Sequence, residues 1–141
     1  MKPRNIVVAV NGNNADVEAI KLACALSKNS KAEIRAVYVI EVKRSLPLDA
    51  VIDSEMKKAE DVLTRAEEVA SEADCELETD IIQAREVGPA IVDEAAQQGA
   101  DLIIVGLTPK RRFGAFSLGN VAPHVLKEAP CRVLLCREPA P

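Results

Sequence analysis

The chain has 141 residues, of which 48% are hydrophobic and only 2% aromatic, and its formal net charge is −4 at pH 7. This length fits one globular domain over residues 1–141, with residues 138–141 as a tail, and the shortage of aromatic rings argues against base-stacking platforms for single-stranded nucleic acid. The acidic balance also argues against a general polyanion-binding protein.

Apolar runs and helical periodicities alternate along the first half of the chain. A buried strand is predicted over residues 6–10, a helix over 16–29 and a second strand over 33–40. A long helix is then predicted over residues 49–73, with apolar positions that step alternately by four and three. This spacing favours a helix packed on a sheet over a short coiled-coil seam, because the apolar positions are rich in alanine.

The second half of the chain continues the same alternation. Residues 75–82 alternate polar and apolar side chains, as in a half-exposed outer strand. Gly88 and Pro89 open a helix that stops at Gly99, and residues 102–105 form a buried strand. The last helix follows Gly119, and the final strand covers residues 132–136.

Five strands alternating with four helices predict an α/β fold: a single doubly wound five-stranded parallel sheet, strand order 3-2-1-4-5, with helices on both faces. Ligands bind such sheets beyond the carboxyl ends of the strands, where the strand order reverses. That point lies between the first and fourth strands. The segments expected there are residues 11–14 and the loop after Val105.

The connection between Gly106 and Gly119 is long and has no strong periodicity. Connections of this length inside compact domains are uncommon unless they bind something or act as lids. It contains a run of three cationic residues, Lys110, Arg111 and Arg112, which are candidate phosphate contacts. Asn120 is predicted as the N-cap of the following helix. A strand end, this loop and a helix N-terminus together predict a phosphate site.

The sequence offers little support for catalysis or a metal centre. His124, the only histidine, is predicted on the surface of the last helix without an acid or nucleophile partner, and we assign no catalytic residue. The four cysteines, at positions 24, 75, 131 and 136, lack metal-ligand spacing and are interpreted as reduced core thiols. Cys131 and Cys136 are expected to point to opposite faces of a strand.

Several segments resemble the universal stress protein family. The family signature is Gly, two residues, Gly, nine residues, Gly, and then Ser or Thr. Gly106 and Gly119 match its outer glycines, and residues 6–12, 36–39 and 100–106 look like the family's first, second and fourth strands. The resemblance covers essentially the whole chain. It implies a Rossmann-like fold of the adenine nucleotide alpha hydrolase type.

The resemblance also implies a nucleotide site, with adenine near the first two strands and phosphates near the two glycines. The residues that carry over to this site are Ala9, Asn11, Val39, Gly106, Thr108, Gly119, Asn120, Val121 and Ala122. The chain departs from the ATP-binding subgroup at four positions. Asn11 replaces an Asp, Pro109 replaces the second Gly, Asn120 replaces Ser or Thr, and Ala122 replaces a hydroxyl residue.

The leading hypothesis is a regulatory domain that binds ATP or AMP, weakly because of these departures, with Mg²⁺ only if ATP is bound. The alternative is a dimeric module that does not bind ATP, such as the soluble regulatory domain of a membrane transporter. Slow ATP hydrolysis is a third hypothesis. A homodimer through the last strand, residues 132–136, is expected because that strand is an apolar sheet edge. The absence of an apolar leader or spanning run favours a cytoplasmic location.

Overall fold

The computed structural model describes residues 2–108, 110–112, 115–117 and 119–138. In chain order the elements are β1 (Asn5–Ala9), α1 (Ala15–Ser27), β2 (Glu33–Glu41), α2 (Asp53–Glu72), β3 (Glu78–Ala84), α3 (Val87–Gln98), β4 (Leu102–Leu107), β5 (Lys110–Arg112), β6 (Ala115–Ser117), α4 (Val121–Glu128) and β7 (Arg132–Arg137). Five of the strands form one parallel sheet in the order β3-β2-β1-β4-β7, which confirms the predicted fold class and strand order.

The helices cover both faces of the sheet. One core cluster joins α1 and α2 to the sheet, and a second joins α3 and α4 to its opposite face. The central strands β1 and β4 are continuously apolar over residues 6–9 and 102–107, as is typical of strands with both faces buried. In β4, residues 102–105 are at most 5% exposed. None of the described helices has the length and hydropathy needed to cross a lipid bilayer.

The apolar positions of α2 face the sheet, so the coiled-coil alternative is wrong. The helix begins at Asp53, later than the predicted residue 49. The amide of Gln83, on β3, donates hydrogen bonds to the carbonyl oxygens of Leu48 (2.9 Å) and Ala50 (2.7 Å). Because these carbonyls are held by a neighbouring strand and Ile52 is extended, the backbone turns helical only after residue 52.

The connection between Gly106 and Gly119 contains structure that the sequence pattern missed. Residues 110–112 and 115–117 pair as a two-stranded antiparallel hairpin, β5 with β6, separate from the main sheet. Each strand has only three residues, which is too short for a period of two to be visible in the sequence. Pro109 and the side chains of Lys110, Arg111 and Arg112 lie outside the described residues.

β7 is an outer strand of the sheet, paired with β4 on one side. Among the described residues, no strand pairs with its other edge. Its side chains are half-buried or exposed, and Leu135 is 36% exposed. Cys136 packs with the cluster under α1, whereas Cys131 packs with the cluster under α3, so the two thiols are on opposite faces as predicted.

Candidate functional site

An open cleft of about 870 Å³ lies beyond the carboxyl ends of β1 and β4, where the strand order reverses. This is the position at which parallel α/β sheets bind ligands. Its lining comes from the end of β1 and the loop after it, from β2, from the end of β4 and the loop after it, and from the beginning of α4, with further residues from α2 and α3. The lining residues are Ala9, Val10, Asn11, Gly12, Asn13, Val37, Tyr38, Val39, Ile40, Glu41, Glu55, Lys58, Val87, Ile91, Val105, Gly106, Leu107, Thr108, Gly119, Asn120, Val121 and Ala122.

The loop after β1 is held in shape by a buried carboxylate. Asp16, in the first turn of α1, is 9% exposed and accepts hydrogen bonds from the backbone N–H groups of Gly12 (2.7 Å) and Asn11 (3.2 Å). Burial raises the pKa of Asp16 above its ordinary value, and the hydrogen bonds from the two backbone groups oppose that shift. The carboxylate therefore holds in place the loop of residues 11 and 12, which lines the cleft.

The side-chain oxygens of two asparagines in this loop have different surroundings. The Oδ1 atom of Asn11 accepts a hydrogen bond from the backbone N–H of Asn13 at 3.0 Å, which closes an Asx-type turn. The Oδ1 atom of Asn13 is buried and has no hydrogen-bond partner among the described residues. A buried acceptor without a partner is costly, so a ligand donor or a water molecule at this point stabilises the loop.

The two signature glycines, Gly106 and Gly119, are required for different structural reasons. A Cβ atom on Gly106 would lie 2.9 Å from the backbone oxygen of Ala15, so the absence of a side chain there lets β4 approach the start of α1. Gly119 has a φ of +74°, in the left-handed region, and a Cβ atom there would meet nothing within 4 Å. Gly106 is required for packing, whereas Gly119 is required for the backbone turn into α4.

The first residues of α4 line the cleft, and their backbone N–H groups are the relevant polar groups there. Asn120 occupies the N-cap position as predicted, but its side chain makes no capping hydrogen bond, which corrects that part of the prediction. The first-turn N–H groups of a helix have no partner within the helix. Together with the positive end of the helix dipole, they favour an anion beside Asn120, Val121 and Ala122.

The cleft also has an apolar wall. Val37, Val39 and Ile91 are at most 9% exposed and pack in the core cluster beneath α3. Glu55 and Lys58, both exposed on the first turns of α2, line the cleft as well, and α2 packs on the other face of the sheet. A flat apolar group such as a nucleobase fits a wall of this kind, with polar groups left at its edges.

The structure brings together around this cleft all nine residues that the resemblance assigned to the nucleotide, from Ala9 to Ala122. Their contacts with a nucleotide stay a prediction. Asn13 lies in the segment of residues 11–14 that the sequence placed at the site, although it was not named as a nucleotide contact. Sequence reasoning missed Asp16, in the first turn of α1, and Lys58. Lys58 comes from a helix that is distant in sequence, and no local signal points to it.

The remaining candidates do not form a reactive cluster. His124 is half-buried rather than on the surface, and its ring atoms lie 3.0 Å from the position of a Cβ on Gly88, so it packs α4 against α3. Within the described ranges, no group of three or more His, Cys, Asp or Glu side chains is arranged to hold a metal ion. The described lining of the cleft combines amides, the hydroxyl groups of Thr108 and Tyr38, aliphatic side chains and three charged side chains, those of Glu41, Glu55 and Lys58.

The chain is similar to known proteins over nearly its whole length. A universal stress protein of Methanocaldococcus jannaschii is 32% identical, over 96% of this chain and 83% of that protein. The structure of a universal stress protein from Archaeoglobus fulgidus superposes with a TM-score of 0.81 at 21% identity, covering 94% of this chain and 98% of that one. The structure of the universal stress protein from Archaeoglobus fulgidus in complex with dAMP gives a TM-score of 0.75 at 22% identity, covering 96% and 99%.

The family model gives the same assignment independently of any single relative. The model of the universal stress protein family matches residues 2–137, which includes every strand of the sheet and the whole cleft. The strand order, the glycines at both ends of the β4–α4 connection and this match agree with one another. The chain belongs to the universal stress protein family.

Proposed function

We propose that this chain binds an adenine nucleotide, ATP or AMP, as a regulatory ligand in the cleft between β1 and β4. The observation that carries the proposal is that one cleft holds both an apolar surface and a site suited to an anion. The apolar side chains of Val37, Val39 and Ile91 line the same cleft as the glycine-marked turn and helix N-terminus at Gly119 and Asn120. A nucleotide has a matching division between a flat base and an anionic phosphate.

Three further observations support this ligand class. The cleft volume of about 870 Å³ is in the range of small-molecule sites. Asn13 lines the cleft, and its Oδ1 atom has no hydrogen-bond partner among the described residues, so the donor groups of a ribose would satisfy it. Neighbours with this fold have been solved with dAMP, with cAMP and with AMP.

The proposed role is regulatory because the cleft supplies binding groups rather than a proton-transfer pair. Asp16, the buried carboxylate nearest the loop after β1, is engaged by backbone N–H groups. Thr108 offers a hydroxyl, and the half-buried His124 packs against α3. We expect bound nucleotide to change stability or assembly, with Mg²⁺ entering only together with ATP.

Calorimetric titration of the full chain tests the proposal, with AMP, ATP and adenosine as ligands. We expect Asn120→Asp to weaken AMP binding about tenfold or more, because it places a negative charge beside the phosphate, and to leave adenosine binding unchanged. Asn29→Asp is the matched control, since Asn29 is exposed beyond the far end of α1. Absence of heat and of a thermal shift at millimolar AMP and ATP would overturn the proposal and favour the module that does not bind ATP.

We also propose that the protein forms a homodimer through β7. Leu135 is 36% exposed on this outer strand, and an apolar edge strand is a template for pairing with a second copy. We expect Leu135→Glu to shift sedimentation from dimer to monomer. Leu48→Glu is the control, because Leu48 is 46% exposed on the loop before α2. A wild-type monomer at high concentration would contradict this assembly.

A further inference from the structure

Asn11 is followed directly by Gly12 in the loop after β1, and both residues are exposed in the lining of the cleft. In an Asn-Gly pair the backbone nitrogen of the glycine can attack the side-chain amide carbon of the asparagine. The attack closes a five-membered succinimide ring and releases ammonia. Glycine favours this ring closure because it has no side chain to hinder the approach. The pair is therefore a chemically labile position at the cleft.

The attacking nitrogen is hydrogen-bonded to a carboxylate. The N–H of Gly12 donates to Oδ2 of Asp16 at 2.7 Å. Asp16 is 9% exposed, and burial raises its pKa, which makes its ionised form a stronger base than an exposed carboxylate. The hydrogen bonds to the loop leave this carboxylate no free approach to a ligand. It is, however, in position to receive the proton that Gly12 loses on attack.

The carbonyl group that is attacked is polarised by a second backbone donor. The N–H of Asn13 donates to Oδ1 of Asn11 at 3.0 Å. Negative charge develops on this oxygen during the attack, and a donor that is already in place stabilises it. Gly12 has a φ of +93°, and a Cβ atom there would lie 3.2 Å from Cγ2 of Val62 on α2. The turn and this close approach to α2 hold the base, the nucleophile and the carbonyl group in one arrangement.

We propose that Asn11 is a self-modification site, at which the loop converts its own asparagine to a carboxylate with Asp16 as the base. The Gly12 nitrogen forms a bond to Cγ of Asn11 while its proton passes to Asp16, and the π electrons of the carbonyl group move to Oδ1. The C=O bond then forms again, the bond between Cγ and Nδ2 breaks, and Nδ2 takes up the proton and leaves as ammonia. Water opens the succinimide at either of its carbonyl carbons, which gives aspartate or isoaspartate at residue 11.

The product changes the lining of the cleft. A carboxylate at residue 11 adds a negative charge to a lining that already contains Glu41 and Glu55. Isoaspartate also inserts one methylene group into the backbone and lengthens the loop. Any effect on nucleotide affinity rests on the proposed function, whereas the covalent change does not.

Asn29 and Ser30 provide an internal control. Asn29 is exposed and precedes a small residue, but the N–H of Ser30 donates to the carbonyl oxygen of Ser27 at 3.1 Å, which is a neutral acceptor. Cleavage after arginine releases residues 5–35 as one peptide, which contains both Asn11 and Asn29. Fragmentation in the mass spectrometer therefore measures the conversion of each asparagine in the same sample.

The test incubates the full chain at neutral pH, folded in buffer and unfolded in guanidinium chloride, and follows both positions over time. We expect Asn11 to react about tenfold faster or more in the folded protein than in the unfolded chain, whereas Asn29 is not accelerated by folding. We expect Asp16→Asn to slow the reaction at Asn11 about tenfold or more, because an amide oxygen still accepts the hydrogen bond from Gly12 but is a much weaker base. Asn11→Gln is expected to abolish the product at residue 11, and circular dichroism checks that both variants fold.

Two outcomes overturn the proposal. Slower reaction of Asn11 in the folded protein than in the unfolded chain would mean that the hydrogen bonds protect the pair. Equal or faster reaction in folded Asp16→Asn would mean that the carboxylate does not act as the base. The measurement detects a covalent product and uses no nucleotide, so failure of the proposed function leaves its result unaffected.

Discussion

Gly106→Ala is expected to lower the free energy of unfolding by about 3 kcal/mol. The added methyl group would lie 2.9 Å from the backbone oxygen of Ala15 and 3.2 Å from its Cβ atom. A backbone oxygen at the start of α1 cannot move aside as a flexible side chain can, so β4 and α1 must separate. Urea denaturation followed by circular dichroism measures the effect.

Gly119→Ala is the matched control for this substitution. Its Cβ atom would meet nothing within 4 Å, and only the left-handed φ of +74° is unfavourable for alanine. We expect a loss of about 1 kcal/mol. Equal losses in the two variants would show that Gly106 is not needed for close packing and would contradict the structural explanation.

Asp16→Ala is expected to lower the free energy of unfolding by about 2–3 kcal/mol, because two backbone N–H groups lose a charged acceptor. These groups belong to Asn11 and Gly12, which line the cleft. We therefore expect AMP affinity to fall as well, since the loop is no longer fixed before the ligand arrives. Denaturation and calorimetry on the same preparation measure the two effects. Unchanged stability would contradict the role of the carboxylate.

The pH dependence of the free energy of unfolding distinguishes the effect of burying the Asp16 carboxylate from the effect of its hydrogen bonds. Burial raises the pKa of Asp16 above the value of 3.8 that it has when unfolded, so the folded protein binds a proton at a higher pH than the unfolded chain. As pH falls from the folded pKa toward 3.8, the stability of the wild type is therefore expected to rise relative to Asp16→Asn. A wild-type stability that falls relative to Asp16→Asn in that window would mean that the hydrogen bonds outweigh burial.

Much of the fold could be predicted because local pattern and tertiary environment agree. Residues 102–105 are continuously apolar, and the corresponding strand is buried on both faces. The strand Glu78–Ala84 alternates in polarity at its start and lies at the sheet edge. Elsewhere tertiary contacts override the pattern. Gln83 binds the backbone of residues 48 and 50 and delays the start of α2, although their sequence is compatible with a helix.

The candidate site was predictable where it depends on turns and glycines that follow a strand. Asn11 and Gly119 each lie among turn-forming residues, which can be recognised from the local sequence. Lys58 has no such local signal, because its place at the cleft depends on how α2 packs beside the loop after β1. The short hairpin of residues 110–112 and 115–117 was missed because three-residue strands show no usable period.

The sequence by itself determined the order of strands and helices, the parallel sheet, the position of the cleft and the family. The fold properties follow from periodicity, chain order and handedness, which act between residues close in sequence, whereas the family follows from the resemblance of the motifs. Only the tertiary structure decided why Gly106 must be glycine and where the Asp16 carboxylate binds. The contact of Gly106 with Ala15 joins elements that are distant along the chain, and its geometry is set by how these elements pack. The contacts of Asp16 depend on how the loop after β1 folds back onto the start of α1.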